Sequence, residues 1–176
     1  LGNIWISTDN GLMKYNQLNK TFKLYNKSDG LIGKQFNYNS YLKDTEGRLY
    51  FGGYNGIVNF FPSQIESNEN KAPIIFTNLK LFNNSVAINE KNGLLKKNIN
   101  DTKLIEFKND QNIFTIEFSL LNYIKSEKNS YAYKLAGFDK SWNLTKDNSV
   151  TFSNLSAGNY TLWVKGANND GIWSHP

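Results

Sequence analysis

SYAYKLAGFDKSWN at residues 130–143 and VTFSNLSAGNYTLWVK at residues 150–165 are two alternating segments joined by a short polar turn. In the first, Tyr131, Tyr133 and Leu135 hold one parity and Ala132, Lys134 and Ala136 the other. In the second, Tyr160, Leu162 and Val164 alternate with Thr161, Trp163 and Lys165. A period of two puts successive side chains on opposite faces of a strand, so both segments belong to a sheet with one packed face.

Between them, Leu155, Gly158 and Tyr160 form an L-x-x-G-x-Y corner: glycine allows a tight turn, and the tyrosine hydroxyl can bond back to upstream backbone. That is the logic of the tyrosine corner in immunoglobulin-like sandwiches. The order Y-x-Y-x-L-x-G-F-D-x-x-W (Tyr131, Tyr133, Gly137, Asp139, Trp142), then the corner, then GANNDGIWS (Asn169, Asp170, Gly171, Trp173) resembles the three-tyrosine (Y_Y_Y) domain of Bacteroides-type hybrid two-component sensors. On that resemblance the naming tyrosines are Tyr131, Tyr133 and Tyr160. The signature residues are expected in structural roles, the tyrosines in the sandwich and the GFDKSW and NNDGIW loops fixing its ends.

Working outward, the sandwich domain begins at Pro73 with IIFTNLKLF (74–82), whose apolar positions change parity near Asn78. Asn83-Asn84 reads as a turn and Leu104–Phe107 as a short strand. Ile113–Leu120 is a clear strand with Phe114, Ile116, Phe118 and Leu120 inward. With Ser149–Phe152 the count approaches the seven strands of a sandwich. The final strand that should follow the N-D-G-x-W turn is expected to be lacking, which leaves Tyr160–Ala167 with an open edge and a buried Tyr160 at its start.

The N-terminal part holds an internal repeat. GNIWISTDNGLMKYN (2–16) aligns with GRLYFGGYNGIVNFF (47–61), and Gly2/Gly47 and the Asn10-Gly11/Asn55-Gly56 pairs lie 45 positions apart. A period near 45 built of short strands is that of a propeller blade, and Asn-Gly between alternating segments predicts a two-residue hairpin turn. The copies resemble the two-component regulator propeller repeat. Two blades cannot close a propeller, so the chain is expected to begin inside a larger protein. The predicted organisation is all-β: 1–66 the last two blades, 67–72 a polar linker, 73–176 the immunoglobulin/fibronectin III-like sandwich.

Composition excludes much chemistry. The 176 residues are 39% hydrophobic and 15% aromatic, enough for one or two packed domains. There is no cysteine, and the single histidine, His175, stands in the final tripeptide, which argues against disulfide frameworks, thiolate sites and Ser-His-Asp catalysis. The carboxylate pairs Asp44/Glu46 and Asp139/Asp170 sit in turn-like contexts, where acids cap backbone. No phosphate-binding glycine loop occurs. The net charge of +5 rests on scattered lysines with Arg48 the sole arginine, unlike a nucleic-acid footprint. No apolar run reaches the roughly 18 residues of a membrane helix.

The resemblance implies a non-catalytic piece of a periplasmic sensor region, without cofactor, that relays sensing of an oligosaccharide to a membrane helix and a cytoplasmic kinase in a homodimer. A secreted carbohydrate-binding or adhesion module, with Trp5 or Trp163 stacking on sugars, and an accessory domain of a propeller enzyme are the alternatives.

Overall fold

The computed structural model describes residues 2–89 and 93–176. The chain is all-β and divides into two compact units, Leu1–Ser67 and Asn68–Pro176.

The first unit contains two antiparallel three-stranded sheets. One is formed in sequence order by β1 (Ile4–Thr8), β2 (Gly11–Asn16) and β3 (Thr21–Tyr25), the other by β4 (Phe36–Lys43), β5 (Leu49–Gly53) and β6 (Gly56–Phe60). Leu12 and Tyr25 from the first sheet and Phe36 and Phe51 from the second are buried in one core, with Trp5 and Phe60 edge-to-face at 4.7 Å. The two copies are equivalent, but their turns sit one residue earlier than Asn-Gly spacing predicts. Thr8 pairs with Gly11 and Gly53 with Gly56, so the loop residues are Asp9-Asn10 and Tyr54-Asn55. The positive φ falls on the glycines after the turn, Gly11 at 122° and Gly56 at 123°. Gly11 also meets the Tyr25 carbonyl so closely that a Cβ would lie 2.1 Å from its oxygen, a second reason for glycine there.

The second unit is a seven-stranded sandwich: β7 (Ile74–Leu81), β8 (Asn84–Ser85), β9 (Ile113–Leu120), β10 (Ser130–Ala136), β11 (Asn143–Thr145), β12 (Ser149–Ser153) and β13 (Thr161–Ala167). One sheet runs β12-β9-β7-β8 and the other β11-β10-β13, with every pair antiparallel. Phe118, Leu120, Tyr131, Leu135, Val150, Phe152 and Val164 fill the space between them. The parity change in 74–82 is a bulge between Phe76 and Asn78: Phe76 stands opposite Phe118 and Leu79 opposite Ile116, so apolar residues on both sides of it turn inward, Phe76 to the core between the sheets and Leu79 to a side cluster with Leu95 and Ile99. The turn after β7 is Phe82-Asn83, both at positive φ, with Leu81 paired to Asn84.

Two expectations fail here. Leu104–Phe107 is not a strand. Ile105 and Phe107 instead pack on a side cluster around Leu79, Leu95 and Ile99, and Phe107 stacks on Phe114 at 4.1 Å, so their apolar alternation serves burial without a ladder. The stretch 68–72 is not a loose linker either. Ala72 is buried in the sandwich core and the asparagines ahead of it are bonded into the second unit, an arrangement that polar, aperiodic composition does not reveal.

Candidate functional site

The signature residues gather at the two ends of the β10–β13 pair. At one end, Ala136 stands opposite Thr161. The Tyr160 hydroxyl donates to the Ser156 carbonyl at 3.0 Å, closing the corner, while its ring lies against Gly137 and Gly158. Gly137 has φ 97°, and a Cβ there would come within 3.1 Å of Tyr160 Cδ1. Asp139 accepts the Leu135 N–H at 2.7 Å and thereby ends the strand. Tyr160 is half-buried and not enclosed, because it precedes β13 and flanks the sheet. Leu155 packs on the core beside it. Tyr131 is buried with its ring 5.2 Å from Phe118, and Tyr133 meets Phe152 edge-on at 6.2 Å.

At the other end, Ser130 stands opposite Ala167, and a cluster of asparagines joins four segments. The side chain of Asn168, 2% exposed, donates to the carbonyls of Asn68 and Asn70 and accepts from the Asp170 and Ile172 N–H groups, all at 2.7–3.0 Å. Asn68 donates its backbone N–H to the Asp170 carboxylate at 2.6 Å and its side-chain amide to Asn122 and Asn169. Asn122 in turn donates to Asn129 at 2.7 Å and to the Ile124 carbonyl. Beyond the turn, the Ser174 N–H donates to the Gly166 carbonyl and Trp173 bridges Ala167, so the tail lies along the outer edge of β13. The first residues of the second unit are thus clasped to the turn that leaves its last strand.

Asn169, Asp170, Gly171 and Trp173 were legible as a loop. Asn68, Asn122 and Asn129 were not, since their partners lie up to 102 positions away and no periodicity marks them. Asp139 and Asp170 sit at opposite ends of a seven-residue ladder, roughly 20 Å apart, and do not form a catalytic pair. Asp44 caps the turn before β5: its carboxylate accepts from the Glu46 and Arg48 N–H groups and the Tyr50 hydroxyl. Desolvation pushes its pKa upward, but the hydrogen bonds outweigh it and hold the carboxyl below its usual range. Glu117, on the outer face of β9, is likewise held low by hydrogen bonds from Lys80 and Asn78. Among the described residues no cluster of His, Cys, Asp and Glu could hold a metal ion, and no helix is long and apolar enough to cross a membrane.

The corner and the loops that follow it coincide with a matched family, the Y_Y_Y domain, over residues 122–176. This segment resembles the Y_Y_Y domain. Over 172 residues the chain is 39% identical to Histidine kinase P4 of Formosa agariphila, a match over 98% of this chain and 13% of that protein. The chain is also similar to the extracellular domain of a hybrid two-component system from B. thetaiotaomicron, with 30% identity, a TM-score of 0.74, and coverage of 100% of this chain and 24% of the other. A second such extracellular domain from B. thetaiotaomicron aligns at 34% identity with a TM-score of 0.55, covering 99% of this chain and 23% of its own. The chain spans about an eighth of the curated relative and a quarter of these solved domains. The Y_Y_Y-like segment and the two three-stranded sheets that precede it in sequence are thus similar to part of the extracellular domains of hybrid two-component systems.

Proposed function

We propose that this chain is the part of a periplasmic sensor region in which propeller blades hand a ligand-driven change to the Y_Y_Y sandwich, and the sandwich passes it toward a membrane helix and a cytoplasmic kinase. The ligand is an oligosaccharide and the working receptor a homodimer; the chain itself is non-catalytic and needs no cofactor. The asparagine clasp is the observation that carries this reading. It holds the segment entering the sandwich, Asn68–Asn70, against the turn leaving it, Asn168–Ile172, so a displacement of the entry is delivered to the exit through a few buried hydrogen bonds. Buried amide networks of this kind are rigid when fully satisfied. The similarity to extracellular domains of hybrid two-component systems supports the placement.

The test is a transcriptional reporter in cells carrying the parent receptor, grown on a panel of purified plant and algal oligosaccharides. Wild type is expected to respond to at least one sugar, and Asn168→Ala to lose most of that response at unchanged receptor abundance. A full response from Asn168→Ala would remove the clasp from the relay.

A further inference from the structure

The outward face of the β11-β10-β13 sheet takes no part in the core or in the clasp. The ladder sets its layout: Leu144 and Lys165 flank Ala132 on either side, and Trp163 stands beside Lys134. The Lys165 ammonium lies 4.4 Å from the Trp142 ring and 5.1 Å from the Trp173 ring, so two indoles fix one cation in place. Beneath this layer Ala132 and Ala167 are closed off from water, whereas Trp163 remains 46% exposed. Three of the four tryptophans of the chain therefore lie on or beside one sheet face, and its three strands contain no aspartate or glutamate.

We propose that this face binds an anionic polysaccharide, with Trp163 as the platform for a sugar ring and Lys165 and Lys134 meeting its carboxylate or sulfate groups. An indole presents a broad apolar plane to which the C–H face of a pyranose is complementary, and ammoniums beside it supply the matching charge. A second copy docked symmetrically would set Lys134 and Lys165 against the same lysines, and like charges brought together oppose the contact. A lipid surface is served by a continuous apolar face that reaches about 5 to 10 Å into the headgroup layer, whereas here the exposed Leu144 and Trp163 alternate with lysines over a floor of alanines. A charged glycan uses both the exposed ring and the held cation. This site lies outside the clasp and stands or falls independently of the relay.

Titration of the chain with a polygalacturonate oligomer, followed by calorimetry and tryptophan fluorescence, tests it; neutral dextran and phosphatidylglycerol vesicles serve as comparisons. Saturable binding of the oligomer is expected, weakening about tenfold between 50 and 500 mM NaCl as the charges are screened. Trp163→Ala should weaken it about tenfold or more, consistent with loss of one aromatic stacking contact. Lys134→Glu, which leaves the aromatic layer intact, should weaken it comparably and so covers the case in which Trp163→Ala misfolds. No saturable binding, wild-type affinity retained in both variants, dextran bound as tightly, or a preference for vesicles would each overturn the proposal.

Discussion

Tyr160 illustrates how a half-buried polar contact sets a modest energy scale. Its hydroxyl bonds to the Ser156 carbonyl, but water reaches the site, so Tyr160→Phe is expected to cost about 0.5–1.5 kcal/mol, read as a small drop in melting temperature with the fold retained. Asn168 has no such relief. It is buried and satisfies four backbone groups, so Asn168→Ala should cost about 2–4 kcal/mol, the penalty of leaving several of them unpartnered; chemical denaturation would measure it. Glu117 gives a pH signature. Its folded-state pKa is depressed by Lys80 and Asn78, so its contribution is present above the ordinary glutamate value of about 4.3 and is lost as pH falls through that value toward the folded one. Melting temperatures taken from about pH 6 down to pH 3 should decline, and Glu117→Gln should flatten part of that decline. Spacing made Tyr160 and Asp139 readable, because their hydrogen-bond partners, Ser156 and Leu135, lie four residues away. It hid Asn68 and Asn122, whose hydrogen bonds reach partners 102 and 54 positions away in the sequence.

At the level of elements, β13 has β10 as its only strand neighbour among the described residues, with Trp173 and Ser174 covering its last two positions. The Gly166 backbone points to Ser174. By the alternation of an antiparallel ladder, the Leu162 and Val164 N–H groups point the same way, to the open edge. Their amides should exchange faster than those of Trp163 and Lys165, which face β10; uniform protection from Leu162 to Lys165 would mean that another segment completes the sheet. Strands were legible where a period of two ran unbroken, as in β9 and β10. Where a bulge reset the parity, as in β7, the change itself was visible but its cause was not. The hairpin turns were placed one residue late, since Asn-Gly favours positive φ at both positions in the abstract, and here only the glycine adopts it.

For the molecule as a whole, the first unit has an uncovered apolar side. Ile4, Tyr15 and Phe22 form one cross-strand row and Ile6, Met13 and Leu24 the next, on the face opposite Trp5 and Leu12, and Phe22 is 63% exposed. Contiguous apolar surface of this sort drives association. Sedimentation velocity of the chain should show concentration-dependent self-association, and Phe22→Glu should reduce it. The two units meet after Ser67, at the start of the 67–72 stretch expected as a linker, whose asparagines act as an anchor for the second unit. That anchor also makes the sandwich a cassette: because its first residue, Asn68, and its exit turn at Asp170 are hydrogen-bonded neighbours, the whole unit could be spliced between two other segments, or exchanged for a homologous one in a chimeric receptor, while the segments it joins stay almost as close together as if it were absent.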